Sequence, residues 1–372
     1  VVVMAALGAW KDVVAVPPLL DGAGSSSSTA VVGGFVRDTL LGRDAREIDL
    51  LVEGDAGAVA QKLAAHAGAR VVSHPRFDTY NVSTDHWQVD IAAARTESYP
   101  RPGALPEVQP ASIEQDLLRR DFTVNAIALR AGELVAVHDA FDDLAARRLR
   151  ALHVHSFEDD PTRLVRLARY AERLGFTIER RTGDMAAAAT LAGLSPARLG
   201  RELRLAVREP DPSAVLARLP LGFDIELAAR ALSLAPADAD RELILLAACA
   251  RAPAIEATSA ERAVLERDSA ALGRRMQRCG APSELWQLLR AEAPESVALA
   301  GARSAPEAAR RWFEELREVR LEITGEDLLA AGIEAGPRIG VLLEEAVRAR
   351  LDGELGSGGQ EQLQFVVESA GR

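Results

Sequence analysis

Val31-Val32-Gly33-Gly34-Phe35-Val36-Arg37-Asp38, with Glu47-Ile48-Asp49 close behind it, is the stretch that decides the fold of this 372-residue chain. An apolar run ends in two glycines, a helix start follows, and the next β-type run carries two acids at alternate positions. The pattern predicts a strand over Thr29–Val32, a helix over Phe35–Leu41 and a strand over Glu47–Val52. Paired glycines Gly33 and Gly34 let backbone amides come close to a triphosphate, and a helix N-terminus favours its negative charge. Arg37 would add a forked donor one turn later. The period-2 geometry of a strand puts Glu47 and Asp49 on one face, where their oxygens would hold two Mg2+ ions about 4 Å apart. Alone, the glycines are a tight turn and the acids a solvated strand face; together, at this spacing, they describe a phosphoryl-transfer site.

Working outward, Ala69–Ser73, Thr79–Ser83 and Trp87–Ala92 read as short strands and Ala58–Ala67 as a helix, so the first third is mixed α and β. From Asp159 to Ala349 apolar residues recur at three and four positions and Ala, Leu, Arg and Glu dominate, which predicts helices throughout. Asp21–Ser28 reads as a flexible loop, Pro210–Pro212 and Ala235–Ala239 as connections between helices, and Gly353–Gly359 as a frayed tail. No fixed-period repeat supports a solenoid.

At about 150 residues per domain the length predicts two or three domains and a core that needs no disulfides. Hydrophobic residues at 48% and charged residues at 27% are globular values, and no apolar run approaches the roughly 18–20 residues that span a bilayer, so no membrane partner is expected. The apolar opening Val1–Trp10 has no basic residue before it and meets Lys11 and Asp12; a signal peptide is not expected, Met4 is a candidate start, and the expected location is cytoplasmic. Cys249 and Cys279 stand far apart without a CxxC, which excludes a disulfide framework and a thiolate zinc site. A net charge of −11 excludes a protein that coats nucleic acid by bulk electrostatics, so any RNA contact must be a local basic groove. Only Lys11 and Lys62 among the 44 basic residues are lysines, so 42 are arginines, each a planar fork. All six histidines lie at or before His155, which rules out a histidine-based metal hydrolase site in the helical part; His153 and His155, two apart, are read as polar strand residues in preference to metal ligands.

The chain resembles the class II tRNA nucleotidyltransferase and bacterial poly(A) polymerase family, of the DNA polymerase beta-like superfamily. The resemblance is carried by Val32–Asp38, Leu40-Leu41-Gly42-Arg43, Glu47–Leu50 leading into Val52–Asp55, Arg95–Tyr99 and Asp116–Ala126. It resumes at Ser156-Phe157 and Asp160–Arg163, then Arg166, Arg169 and Leu174-Gly175-Phe176. It implies a metal-dependent reaction in which the 3′-hydroxyl of an RNA, typically a tRNA acceptor end, attacks the α-phosphate of CTP or ATP and expels pyrophosphate, with two Mg2+ ions activating the hydroxyl and neutralising the phosphates. Family members carry Asp-x-Asp where this chain has Glu47-Ile48-Asp49; glutamate keeps the charge and is one methylene longer. Asp90 is the candidate third carboxylate, as base or ligand for the incoming hydroxyl. In the family's nucleotide-binding segment, matched by Arg119-Arg120-Asp121, arginine supports the triphosphate and the acid reads the ribose 2′-hydroxyl, with Asn125 bracing. Asp160 and Arg163 correspond to the family's protein template for the base. A carboxylate accepts from an exocyclic amino group and a guanidinium donates to the adjacent ring acceptor, which fits cytosine and adenine but not guanine or uracil. Arg166 and Arg169 continue that face toward nucleotide, and Ser195–Leu205 resembles the neck helix.

The implied architecture is α+β: a nucleotidyltransferase head with a small mixed β-sheet and flanking helices, then an all-α neck, body and tail. The expected boundaries are an N-terminal segment over 1–24, the head over 25–147, a nucleotide-selecting neck over 148–215 and a tRNA-binding body and tail over 216–372. The expected function is untemplated addition of C and/or A to tRNA 3′ ends, with no obligate protein partner. Poly(A) tailing of other RNAs and a catalytically silent RNA-binding relative are the alternatives.

Overall fold

The computed structural model describes residues 28–45, 47–74, 78–250 and 255–371; the apolar opening and all but Ser28 of the Gly/Ser loop lie outside them. The chain divides into two compact units, one to Pro220 and one from Leu221.

In the first unit, β1 (Thr29–Val32) is buried along its whole length, as its unbroken apolar run requires, and leads through Gly33 into α1 (Gly34–Leu40). Next come β2 (Ile48–Val52) and α2 (Ala56–Ala67), whose first turn is capped by Asp55 and whose end is Gly68 in the left-handed region. β3 (Arg70–His74), β4 (Thr79–Ser83) and β5 (Gln88–Ala93) follow, then a small hairpin of β6 (Arg95–Ser98) and β7 (Glu107–Pro110). α3 (Ile113–Leu118) opens on a Ser112/Gln115 capping box, and β8 (Ile127–Arg130) and β9 (Glu133–Ala136) finish the sheet. The strand order is β3-β4-β5-β2-β1-β8-β9, and β2–β5 is its one parallel pair. Register decides what meets what: Asp49 stands opposite Val32 on one side and Asp90 on the other, and Asp90 stands opposite Asn81. The twin-glycine end of β1 and both aspartates therefore share one end of the sheet.

After α4 (Ala140–Ala145), β10 (Arg148–Leu149) pairs in parallel with β11 (Thr177–Ile178). Between them lie α5 (Ser156–Asp159) and α6 (Thr162–Leu174), which ends at Gly175 with φ +67°. α6 buries Leu164, Val165, Leu167, Ala168, Ala171 and Leu174, the stripe its spacing predicts, and also Arg163, Arg169 and Tyr170. α7 (Arg180–Ala188), α8 (Pro196–Ala206) and α9 (Pro212–Ala217) complete the unit.

The second unit is helical among its described residues: α10 (Ile225–Leu234), α11 (Arg241–Ala247), α12 (Ser259–Leu265), α13 (Ser269–Arg278), α14 (Pro282–Leu289), α15 (Pro294–Ser304), α16 (Pro306–Arg311), α17 (Gly325–Ala330), α18 (Pro337–Leu351) and α19 (Gly359–Ala370). Helices α13 and α15 touch backbone to backbone, since a Cβ on Gly273 would fall 2.7 Å from the Ala300 carbonyl. Cys249 is 3% exposed, while Cys279, at the end of α13, is half-buried beside Arg275 and Arg278. Gly353–Gly359, expected as a frayed tail, is instead an anchored turn. Gln362 is wholly buried, donates to the Gly356 and Ser357 carbonyls at 3.1 and 3.0 Å and accepts the Glu322 N–H at 2.8 Å. Among the described residues no helix is long and apolar enough to cross a membrane.

Candidate active site

Gly33 sits at φ +73°, a backbone conformation that side chains rarely adopt, and a Cβ there would lie 3.1 Å from Arg120 Nη1 and 3.3 Å from Asp49 Oδ2. The bend thus leaves a cradle between a carboxylate and a guanidinium that any larger residue would fill. The Gly33 N–H is spent on the Ile127 carbonyl at 3.3 Å, so this glycine contributes closeness and not a free donor. Asp49 is pushed up to about 6: burial is the main cause, the Asp90 and Glu47 carboxylates add to it, and Arg120 opposes it. Asp90 accepts from Asn81 Nδ2 at 2.7 Å, and Glu47 is exposed one residue before β2. No three His, Cys, Asp or Glu side chains among the described residues are grouped as a ready-made metal site. Mg2+ usually takes only one or two carboxylates and completes its shell with water and phosphate oxygens. A half-buried carboxylate strained by two like charges, beside an open cradle, fits such an ion, with Asp49 and Glu47 to hold it.

The arginine pair behind the cradle is braced from within. Asp116, wholly buried, accepts from Arg119 Nη2 at 2.5 Å and from Arg120 Nη2 at 3.2 Å, and Arg119 also donates to Glu97 at 2.8 Å. Asp116 and Glu97 had no role in the sequence reading; the i,i+3 and i,i+4 spacing of Asp116 to Arg119 and Arg120 was the available signal.

Asp121 lies inward of the cradle. It is 5% exposed, and its Oδ1 accepts from the Phe122 N–H at 2.8 Å and Asn125 Nδ2 at 3.0 Å, while Arg166 Nε donates to Oδ2 at 2.7 Å and Arg166 Nη2 is ion-paired with the same oxygen. Burial alone would raise its pKa, but Arg166, Asn125 and Arg163 more than offset that and hold it below the usual range. Arg37, at 2% exposure, grips Asp38 with its fork at 2.8 and 2.7 Å and donates to Asn125 Oδ1 at 2.5 Å. Arg169 is buried against Glu209 at 2.9 Å and Glu202 at 3.4 Å on the neck side. Tyr170, which the sequence reading passed over, ties these groups together: Arg37, Arg166 and Arg173 stand 5.3, 5.5 and 5.0 Å from its ring centre, and its hydroxyl meets Arg166 at 3.1 Å. Arg166 keeps an exposed edge, its side chain 36% open.

Asp160 ends α5 in the turn that leads into α6, and Arg163 lies in the first turn of α6. Thr162 N–H and Oγ1 and Arg198 Nη2 all donate to Asp160 Oδ1, at 3.0, 2.6 and 2.7 Å, whereas no donor among the described residues meets Oδ2. Arg198 also donates to the Gly103 carbonyl at 2.8 Å, joining the β6–β7 loop to the neck. Arg163 is 5% exposed, with Nη2 on the Arg119 carbonyl at 2.7 Å and Nη1 on Ser156 Oγ at 2.8 Å and on His153 Nε2 at 3.2 Å.

Residues 29–150 match the poly A polymerase head domain. The chain is 36% identical to the CC-adding tRNA nucleotidyltransferase of Deinococcus radiodurans over 91% of its own length and 89% of that protein's. It is 34% identical to the A-adding tRNA nucleotidyltransferase of Geobacter sulfurreducens over 87% of its length, yet spans only 43% of that longer relative. Its fold is similar to that of the Thermotoga maritima CCA-adding enzyme complexed with tRNA, with a TM-score of 0.72 at 26% identity, covering 94% of this chain and 93% of that one. A head match confined to the sheet that carries Asp49, and a relative aligned across nearly all of both chains, lead to one conclusion: the chain belongs to the class II tRNA nucleotidyltransferase family.

Proposed function

We propose that this protein adds C and/or A from CTP or ATP to the 3′ end of tRNA without a nucleic-acid template, releasing pyrophosphate. The observation that carries the proposal is the strained Asp49 carboxylate facing Arg120 across the Gly33 cradle, an arrangement suited to a triphosphate and its cation. The CC-adding and A-adding relatives support both nucleotides as candidates. Held by Asp49 and Glu47, Mg2+ would neutralise phosphate charge and favour the attacking hydroxylate. Arg120 and the exposed edge of Arg166 would take phosphate oxygens, while Arg119, Asp116 and Glu97 keep the arginine pair in place. Asp90, held by Asn81, would accept the proton of the attacking 3′-hydroxyl. Asp160 Oδ2 would accept from the exocyclic amino group of cytosine or adenine as Arg163 donates to the neighbouring ring nitrogen. Asp121 acts here through Arg166 and Asn125, and the helical second unit would hold tRNA by shape and phosphate contacts.

The test is incubation with tRNA lacking its 3′-terminal CCA, Mg2+, and CTP, ATP or both. Labelled product is expected, with the nucleotide requirement sorting CC, A and CCA addition; Asp49→Ala should abolish it while leaving the melting curve cooperative. Absence of product from the parent protein under every condition, or full turnover by the variant, refutes the proposal.

A further inference from the structure

We propose that His153 is a positioning residue for base choice: its Nε2 accepts from Arg163 Nη1 and fixes the plane in which that guanidinium meets the base. The inference rests on the base-selecting role proposed above for Asp160 and Arg163. Arginine carries five donors and no acceptor, so the 3.2 Å contact requires the lone pair of His153 to be on Nε2 and its proton on Nδ1. That nitrogen looks toward Asp159 Oδ2 at 3.8 Å, which favours the same tautomer. The imidazole is thus set between a carboxylate on α5 and a guanidinium on α6. Burial chiefly, then Arg163 and His155, depress its basicity, and Asp159 opposes them; His155 itself is turned outward to Glu158 at 3.1 Å. Arg163 is otherwise gripped through Nη2 by the Arg119 carbonyl and through Nη1 by Ser156 Oγ and, at 3.4 Å, the Ser156 carbonyl. His153, three residues before Ser156 in the same turn, gives Nη1 a further acceptor, and a planar fork held through both Nη atoms by several acceptors resists tilting. Two hydrogen bonds to a base discriminate only while both are in line, so a guanidinium free to tilt would lose one of them for cytosine or adenine and lessen the penalty for uracil or guanine. Protonation of His153 would turn Nε2 into a donor facing a cation and have the same effect.

His153→Gln keeps an acceptor at similar reach and His153→Phe keeps a ring without one. The readout is the ratio of kcat/KM for CTP or ATP over that for UTP or GTP on truncated tRNA at pH 8. The phenylalanine variant is expected to lose about tenfold in this ratio, with the glutamine variant close to the parent and all three melting alike. In the parent the ratio should also fall on acidification below the ordinary histidine range, and in the phenylalanine variant it should not. Nitrogen-15 NMR of histidine-labelled parent protein supplies a second readout: a neutral, Nδ1-protonated ring at pH 7 that titrates below about 6.5. An Nε2-protonated ring, or a midpoint at or above that value, overturns the inference whatever the activity. The expected tautomer in an active parent, with an unmoved ratio in His153→Phe or an equal loss in both variants, overturns this role alone. The expected tautomer in a parent that extends no tRNA overturns the proposed function and this role with it.

Discussion

Asp49 holds its charge against its surroundings, and the protein's stability should register it. Its proton affinity is raised from the ordinary 3.8 to about 6, so the native state binds that proton more tightly than the unfolded chain. The associated stability is therefore complete below about pH 4 and lost as pH rises through about 6, a span of two pKa units or about 3 kcal/mol. Asp49→Asn, which has no charge to bury, should melt several degrees higher than the parent at pH 8 without divalent ions and close to it at pH 4.5. A gap that fails to open with pH, or opens the other way, refutes this account. The pairing of Asp49 with Asp90 follows from the β2–β5 register, whereas Glu47, expected on the same strand face as Asp49, lies exposed one residue before β2. Arginine directions were not legible. Arg37 spends its fork on its own neighbour, and Arg169 on Glu202 and Glu209, 33 and 40 positions downstream, partners that no local spacing announces. Asp121's partner Arg166 likewise arrives from another element.

Elements were read well where a core face enforced the pattern. Thr29–Val32 and Thr79–Ser83 are strands with the bounds their alternation or apolar run implies. The β6–β7 hairpin is polar and mostly exposed, and β10 and β11 are two residues each, so neither left a periodic signal to read. The last helix was hidden by glycine-rich composition, which Gln362 overrules by supplying hydrogen bonds to the turn before it. The bend between β1 and α1 carries the prediction at this scale. Gly33→Ala forces a side chain into the left-handed region at about 1–2 kcal/mol and sets a methyl group between Arg120 and Asp49. Nucleotide addition should fall by more than tenfold, a larger effect than the accompanying strain accounts for, while the variant stays folded at 25 °C. Paired kinetics and thermal melts check it; a loss of stability with unchanged kcat/KM would show that the cradle is not where the nucleotide sits.

At the scale of the whole chain, the domain match stops at residue 150 but the ionic lattice of the first unit does not. Asp121 depends on Arg166, Arg37 lies against Tyr170, and Arg43 donates to the Arg173 and Leu174 carbonyls at 3.2 and 3.0 Å. Removing one partner of a buried ion pair costs about 3–5 kcal/mol, a large part of a domain's net stability. A fragment over 28–220 should therefore melt cooperatively, and one cut at 150 should not; circular dichroism melts of the two decide it, and a well-folded shorter fragment would refute the dependence. The two thiols of the second unit have a practical consequence. Burial pushes Cys249 up to about 12, out of reach of alkylating reagents at neutral pH, whereas Cys279, though burial and Glu284 raise it as well, is partly open beside Arg275 and Arg278. A maleimide fluorophore would attach at that one place in the unaltered protein and report, through its emission, the arrival of a polyanion at those two arginines.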